Sequence, residues 1–512
     1  MLLVAQKNML PYLLLIVLLQ ATLLVNLTHA ASALPSIIWI MADDLGWGEP
    51  SAYPSTSSHG RIATPNLDKL ANNGVRFTNA YAGYTVCAPS RTTLFTGRHS
   101  GKFKEYNLPG TSLAPSQAVT TAQLLKEAGY ATALVGKSAP LTAPLQQGFD
   151  YFFGQVNQAQ CHNMYPRVID YGNETGNINL TLNYKMKNRE LCMASPEEYN
   201  YTTDLFQHQA LTWLESAAKD ADVTPFFLYL SFTVPHAGGW SDTNKESGAP
   251  VPTDGRYQNQ TSWPLVERDH AGVITYLDNY VGQVMTMVES LNIEENTLLF
   301  FASDNGAHLE GGHSYKFFNS TGGLRGHKRS MFEGGVRSPT MVMWKGTIKA
   351  GTVSDYPWSF WDVMPTLAEI AGVAQENLPK KIDGHSILPT LLGDTQAPPS
   401  YIYYTGNSGW GKSQELLSQE LLSQESSQES SQESSQELTK SKTTSYSIRV
   451  GNMKAVVSDC QGKPTMKDTM QLFNLDVDPF ETTDISGTRQ KEVKELKKFI
   501  IGENVSCACY QC

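Results

Sequence analysis

Short apolar runs followed by polar residues recur through the first three hundred residues of the chain. Four of these runs are predicted to form buried strands, at residues 36–41, 131–135, 225–234 and 297–302. Polar side chains follow the runs directly: Asp43 with Asp44, Lys137, His236, and Asp304 with Asn305. Because ligands bind beyond the carboxyl ends of strands in open α/β sheets, this pattern predicts a functional site there.

Helical periodicity separates the predicted strands. Apolar side chains at positions 273, 277, 281, 284 and 288 recur every three or four residues, which predicts a helix before the fourth strand. A second helix is predicted to follow Thr64, a suitable N-cap residue, with Pro65 in its first turn and Gly74 at its end. The alternation indicates an α/β fold in which a large mixed sheet is flanked by helices.

The chain has 512 residues, which exceeds the usual size of one compact core, so we expect a large and a smaller domain. We place the large domain at residues 34–398 and a C-terminal subdomain at residues 399–512. Strands predicted over residues 446–457 and 471–478 would give that subdomain a small antiparallel sheet. Residues 413–438 repeat Ser-Gln-Glu, and this composition predicts a disordered low-complexity insertion at the surface.

Residues 1–30 have the pattern of a secretory signal peptide. Lys7 precedes an apolar run over residues 9–25, and Ala30 ends a small-residue cleavage site. The alternative is an uncleaved membrane anchor, but the run is shorter than the roughly 20 residues that span a bilayer. We therefore expect a secreted or lysosomal protein without stable membrane insertion. Sequons indicate glycosylation at Asn173, Asn179, Asn200, Asn259, Asn319 and Asn504.

Net charge and cysteine count narrow the class of protein further. The formal net charge is -10, and a broadly acidic surface argues against nucleic acid as a partner, although a pocket for an anionic small molecule can still be locally cationic. Seven cysteines are an odd number for a secreted protein. With Cys87 set apart, the other six allow fifteen disulfide pairings, of which Cys161 with Cys192 would be a local one.

The most specific segment of the chain is Cys-Ala-Pro-Ser-Arg at residues 87–91, continued by Thr-Gly-Arg at residues 96–98. It resembles the signature of the formylglycine-dependent sulfatases, which have an alkaline-phosphatase-like fold. The resemblance implies that the formylglycine-generating enzyme of the secretory pathway oxidises Cys87 to an aldehyde. One oxygen of the hydrated aldehyde can attack sulfur as a covalent nucleophile, and the other can then expel sulfate and restore the aldehyde. A serine has only one hydroxyl and could not expel sulfate in this way.

Two pairs of oxygen ligands match the metal site of the same family. Asp43 and Asp44 match the first pair, and Asp304 and Asn305 match the second. The resemblance implies one Ca²⁺ per subunit, held by these four residues and by the residue made from Cys87. Oxygen donors suit such a hard cation better than zinc. Either pair alone would be interpreted as loop residues.

Basic residues match the rest of the family's site. Arg91 lies one helical turn from Cys87, and the resemblance implies that it orients the formylglycine and the metal ligands. Lys137, His236 and Lys328 match positions that bind the sulfate oxygens and stabilise the departing alcohol. His236 is the candidate general acid toward the leaving group.

The chain departs from the family pattern at one position. Many sulfatases read Gly-Lys-Trp-His after the second predicted strand, whereas this chain reads Gly-Lys-Ser-Ala, so Ala139 replaces a histidine thought to help break down the sulfated intermediate. Some relatives carry a histidine in a later segment similar to Ala-His-Asn-x-Tyr-Pro, and residues 161–166 here read Cys-His-Asn-Met-Tyr-Pro. We expect His162 to take over that role; the other interpretation is a slow or inactive enzyme.

Three functions are compatible with the sequence. The leading prediction is a sulfatase that hydrolyses aryl or carbohydrate sulfate esters. A phosphodiesterase or phosphonate monoester hydrolase of the same superfamily is the second, and the ratio of sulfate to phosphate hydrolysis separates the two. A non-catalytic secreted glycoprotein is the third. Ala139 favours it, whereas the intact Cys87 motif and the four metal ligands argue against it.

Overall fold

A computed structural model gives the fold of residues 34–501, with gaps at 104–107, 109–110, 159, 167, 174–177, 183–199, 222, 239–246, 408–442 and 462–464. The predicted signal peptide, the low-complexity insertion and Cys192 lie outside the described residues. Cys161 is buried, with its Sγ 3.4 Å from the Gln155 carbonyl oxygen. Within the described ranges, no disulfide joins Cys87 to Cys161. Among the helices described, none is both long and apolar enough to cross a bilayer.

Strands and helices alternate along the described part of the chain. The strands are β1 (Ser36–Asp43), β2 (Val75–Phe77), β3 (Ala80–Tyr81), β4 (Ala131–Lys137), β5 (Tyr151–Gln155), β6 (Val168–Gly172), β7 (Ile178–Leu182), β8 (Phe226–Pro235), β9 (Thr297–Ser303), β10 (Thr340–Met343), β11 (Thr352–Ser354), β12 (Trp358–Ser359), β13 (Ile402–Asn407), β14 (Thr443–Val450), β15 (Met453–Gln461) and β16 (Gln471–Asn474). The α-helices are α1 (Pro65–Asn72), α2 (Cys87–Thr96), α3 (Thr121–Glu127), α4 (Thr202–Ala217), α5 (Leu265–Ser290), α6 (Glu333–Val336), α7 (Val363–Ile370), α8 (Leu388–Leu392) and α9 (Gln490–Ile501).

The largest sheet has ten strands in the order β11-β2-β10-β9-β1-β8-β4-β5-β6-β7. The central strands β9, β1, β8, β4 and β5 are parallel neighbours, whereas β10 and β6 pair antiparallel at their two sides. Every residue of β1 is buried, and its successive side chains enter cores on opposite faces of the sheet. The predicted mixed α/β sheet is confirmed, as is a smaller antiparallel sheet, in the order β13-β14-β15-β16.

The four predicted core strands are confirmed as β1, β4, β8 and β9. The helix predicted before the last of them is α5, whose apolar positions are buried. One C-terminal prediction is wrong in detail. Residues 446–457 do not form one strand, because the chain turns at Gly451, where φ is 57°, and pairs β14 with β15 as a hairpin. Glycine adopts that left-handed conformation without steric cost.

The start of α1 is fixed by a distant side chain rather than by its own N-cap. Thr64 precedes the helix as predicted, but its side chain makes no capping hydrogen bond and instead accepts one from the Ser51 backbone at 2.7 Å. The carboxylate of Asp278 in α5 accepts the backbone N–H groups of Asn66 and Leu67 at 3.0 and 2.8 Å. A negative group at a helix N-terminus is also favoured by the helix dipole.

The C-terminal sheet packs on the large domain through a mixed apolar and ionic contact. Tyr404 and Phe473 share one buried cluster with Tyr81 of β3. Beside that cluster, the Lys454 ammonium of β15 lies 2.7 Å from Glu333 Oε1. The contact thus reaches α6, which follows the segment that contains Lys328.

Candidate active site

The polar residues that follow the predicted strands meet at one edge of the main sheet. Asp43 ends β1, Lys137 ends β4, His236 follows β8 and Asp304 follows β9. The strand order β9-β1-β8-β4 makes these carboxyl ends neighbours. The structure therefore brings these predicted site residues together at this edge.

Three carboxylates and one amide form a buried, oxygen-rich cluster. The Asp44 backbone N–H donates to Asp304 Oδ1 at 3.1 Å, and Asn305 Nδ2 donates to Asp44 Oδ1 at 2.7 Å. Asp43 Oδ1 and Asn305 Oδ1 are buried without a hydrogen-bond partner. An unsatisfied buried acceptor costs about 1–3 kcal/mol, and a cation bound to it removes that cost. The donor set therefore fits a hard metal ion.

The charges of the carboxylates lead to the same conclusion. Burial alone would raise the pKa of Asp43, but Lys137 and Arg91 hold it well below its ordinary value. Burial and the negative charge of Asp43 raise the pKa of Asp304. The two carboxylates therefore repel each other, and a bound cation would relieve that repulsion.

Arg91 joins helix α2 to the oxygen cluster. It is completely buried; its Nε donates to Asp304 Oδ2 at 2.7 Å, and its Nη1 donates to Ser231 Oγ at 2.5 Å. Gly136 lies opposite Ser231 in the β4–β8 pair, and a Cβ at position 136 would lie 1.9 Å from the Ser231 carbonyl oxygen. A glycine is therefore required immediately before Lys137.

Two buried ammonium groups flank the cluster. Lys137 Nζ donates to Asp43 Oδ2 and Lys328 Nζ donates to Asp44 Oδ2, each at 2.7 Å. Burial alone would lower the pKa of either lysine, but the adjacent carboxylates raise both above their ordinary values. Both lysines therefore stay charged, and the site offers two fixed cations to an anion.

Cys87 is the first residue of α2 and is 4% exposed. Potential ligand atoms of Asp43, Cys87 and Asp304 all lie within 4.8 Å of one another. Burial raises the pKa of the Cys87 thiol, so the thiol stays protonated at neutral pH. The Sγ atom here belongs to the unmodified precursor of the residue that the motif predicts.

Two histidines lie side by side at the edge of the cluster. The rings of His162 and His236 stack with centroids 3.8 Å apart, and His162 Nε2 lies 3.5 Å from Lys137 Nζ. Burial and the neighbouring His236 lower the pKa of His162, so its ring is neutral. Ala139 is buried, and its methyl group cannot exchange a proton. The structure thus brings His162 into the site, as the sequence predicted.

His236 is oriented by its backbone and by Lys328. Its Nδ1 lies 2.6 Å from the Ala237 carbonyl oxygen, which can only accept, so Nδ1 carries a hydrogen. Its Nε2 lies 3.0 Å from Lys328 Nζ, which can only donate. The ring therefore presents Nε2 to the site beside a cation.

Sequence reasoning missed two residues of this site. Gln158 Nε2 lies 3.4 Å from Cys87 Sγ. Glu310 Oε2 lies 3.1 Å from Lys328 Nζ and 3.3 Å from His236 Nε2. Gln158 could have been suspected, because it lies four residues before His162 in the same segment. No pattern in the sequence marked Glu310.

Comparison with known proteins agrees with this geometry. The family model described as Sulfatase matches residues 35–373. N-acetylgalactosamine-6-sulfatase of Canis lupus familiaris is 31% identical over 399 residues, which cover 73% of this chain and 69% of that protein. Human steryl-sulfatase is 29% identical, over 76% of this chain and 74% of that protein.

Solved structures show the same fold. A Bacteroides thetaiotaomicron protein, described in connection with the metabolism of multiple glycosaminoglycans, has a TM-score of 0.65 and 25% identity, and the match covers 92% of this chain and 99% of that one. A phosphonate monoester hydrolase of Agrobacterium radiobacter has a TM-score of 0.55 at 18% identity, over 90% of this chain and 93% of that one. That second likeness shows the fold alone.

The family model spans more than half of the chain, and the named relatives are sulfatases. The residues that match the family motif converge on one buried, cation-lined edge of the sheet. This chain belongs to the sulfatase family, with an alkaline-phosphatase-like fold, and is a sulfuric ester hydrolase.

Proposed function

We propose that the protein hydrolyses an aryl or carbohydrate sulfate ester through a formylglycine made from Cys87. The observation that carries this proposal is the position of Cys87. It lies at the start of a buried helix, within 4.8 Å of the ligand atoms of Asp43 and Asp304. A hydrated aldehyde at that point would have one hydroxyl ready to attack sulfur and a second to expel sulfate afterwards.

The residues proposed to hold Ca²⁺ are Asp43, Asp44, Asp304, Asn305 and the residue made from Cys87. Two buried oxygens without a hydrogen-bond partner, Asp43 Oδ1 and Asn305 Oδ1, support a bound cation. All four unmodified ligands offer oxygen atoms, which favours Ca²⁺ over a metal that prefers nitrogen or sulfur. When bound, the ion would offset negative charge on the sulfate group as the reaction proceeds.

The basic residues are proposed to bind the sulfate group and to protonate the leaving alcohol. Lys137 and Lys328 are held charged by carboxylates, so they can donate to sulfate oxygens without first gaining a proton. His236 is the proposed general acid; in that role its Nε2 must first carry a proton, which the carboxylates of Asp44 at 3.4 Å and Glu310 at 3.3 Å would stabilise. Arg91 fixes Asp304 and thereby orients the ligand cluster.

His162 is proposed to replace the histidine that many sulfatases carry at the position of Ala139. Its Nε2 lies 3.5 Å from Lys137 Nζ, so the ring is placed to take the proton of the second hydroxyl when sulfate leaves. His162→Ala should lower kcat about 10²–10⁴-fold, the usual effect of losing a general base. The matched control is His208→Ala, which removes an exposed histidine of α4. Equal turnover of the two variants would remove His162 from the mechanism.

The relatives support a sulfated glycan or small aryl sulfate as substrate, since they include N-acetylgalactosamine-6-sulfatases and an arylsulfatase of Hemicentrotus pulcherrimus. We further propose that the chain enters the secretory pathway through residues 1–30 and meets the formylglycine-generating enzyme there. Glycosylation, disulfide bonding, and secretion or lysosomal delivery belong to the same proposal.

The experiment that tests the proposed nucleophile is mass spectrometry of the tryptic peptide spanning residues 77–91. Conversion of Cys87 to formylglycine removes about 18 Da and creates the activated nucleophile. Cys87→Ala supplies the control peptide and should have no sulfatase activity. If Cys87 stays wholly unmodified in cells that mature other sulfatases, the formylglycine mechanism is excluded. A higher rate on phosphate diesters than on sulfate esters would favour the second candidate function.

A further inference from the structure

Gln158 lies outside the family motif, but its side-chain amide lies beside Cys87. Its Nε2 lies 3.4 Å from Cys87 Sγ, a hydrogen bond to sulfur. The segment that carries it begins where β5 ends, and β5 pairs in parallel with β4 so that Gln155 lies opposite Lys137. Gln158 therefore enters the site from the same sheet edge as the proposed catalytic groups.

The carbonyl oxygen of the Gln158 amide is unpaired in the unmodified protein. Its Oε1 is buried and has no hydrogen-bond partner. A thiol is a weak donor and offers only one hydrogen, so Cys87 leaves this acceptor unsatisfied. Buried acceptors are nearly always paired in native proteins, and an exception calls for a missing donor.

The mature residue expected at position 87 supplies that donor. Hydration adds water across the aldehyde: the water oxygen bonds to the carbon, and its two hydrogens end on the two hydroxyl groups. No oxidant is needed for this step. The two oxygens then sit on one carbon, as do the nitrogen and oxygen of an amide. One amide can therefore donate to the first hydroxyl and accept from the second.

We propose that Gln158 is a positioning residue that holds the hydrated form of formylglycine 87 through this pair of hydrogen bonds. The inference rests on the proposed function, because it requires the aldehyde made from Cys87. It explains both the contact at 3.4 Å and the unsatisfied Oε1. Its chemical consequence is a larger fraction of diol, the form that carries the nucleophilic hydroxyl, at the expense of free aldehyde.

The test compares wild type with Gln158→Met, which has a similar length but neither donor nor acceptor. Gln146→Met, at an exposed position, is the matched control. Mass spectrometry of the peptide spanning residues 77–91 first establishes equal formylglycine content. Hydroxylamine, which reacts with the free aldehyde and not with the diol, then measures the aldehyde fraction in each protein.

Gln158→Met should react with hydroxylamine several-fold faster than wild type and should lose about tenfold to hundredfold in kcat, as expected for two hydrogen bonds, with KM within about twofold. Gln146→Met should match wild type in both assays. Equal hydroxylamine rates and equal kcat in Gln158→Met, at equal formylglycine content, would overturn the inference. Absence of formylglycine from the wild type would instead refute the proposed function, and the inference would fall with it.

Discussion

Replacing Lys454 by methionine tests whether the ionic contact between the two sheets holds the C-terminal sheet in place. Lys454 Nζ lies 2.7 Å from Glu333 Oε1 and 2.9 Å from Glu481 Oε1, and all three side chains are at most 2% exposed. Methionine keeps the length and the apolar stem but removes the ammonium. Two carboxylates would then share a buried region with one less positive charge.

The expected cost follows from burial. Removing one partner of a buried ion pair costs about 3–5 kcal/mol, because the remaining charge has lost both water and its counterion. Lys69 and Glu289 form an ion pair of similar length, 2.9 Å, but their side chains are 47% and 52% exposed. An exposed pair contributes only about 0–1 kcal/mol, so Lys69→Met is the matched control.

The assay is urea unfolding of the three proteins at neutral pH, with sulfatase activity measured on the same samples. Lys454→Met should lose several times more unfolding free energy than Lys69→Met. It should also lose activity, because the Glu333 backbone N–H donates to Glu481 Oε2 and α6 directly follows the segment that contains Lys328. If the two variants are equally stable, burial does not decide the strength of this ion pair and the reasoning is wrong.

Three further predictions follow from other parts of the structure. Removing divalent cations with a chelator should abolish turnover and lower Tm, because Asp43 and Asp304 are left in mutual repulsion, and added Ca²⁺ should restore both. Burial lowers the pKa of His99 to about 4, so between about pH 6.5 and 4 only the unfolded chain binds a proton at this residue. Between neutral pH and pH 5 the wild type should therefore lose about 2 kcal/mol of unfolding free energy that His99→Phe does not lose, as measured by unfolding at both pH values. Glycopeptide mass spectrometry should find a glycan on exposed Asn259 and none on Asn319, whose Nδ2 donates to the Thr56 carbonyl oxygen at 2.9 Å.

The elements that the sequence predicted correctly are those with a local pattern. The run that forms β1 is apolar from Ile37 to Ala42 because the strand is covered on both faces, and a continuous apolar run is visible without any tertiary information. The periodicity of α5 is equally local. The polar residues of the site, such as Asp43 and Asp304, were predicted because they follow such runs directly.

The features that sequence reasoning missed depend on residues far apart in the chain. Asp278 caps α1 from a position 212 residues beyond Asn66. Glu310 enters the site only because Lys328 and His236 fold against it. The turn at Gly451 was missed because apolar and polar residues alternate on both sides of it, although the phase shifts at the turn. In the first two cases the contact joins residues far apart in the chain and leaves no period in the sequence.

Sheet geometry supports the proposal that His162 stands in for the histidine that is absent at position 139. β4 and β5 are parallel neighbours in which Lys137 lies opposite Gln155, so the segments that leave both strands start at the same edge. A side chain from either segment can reach the space beside Lys137, and His162 Nε2 reaches it at 3.5 Å. The proposed mechanism requires an imidazole at that point in space, not at a fixed distance from Lys137 along the chain. Loss of the histidine at position 139 therefore does not by itself indicate an inactive sulfatase.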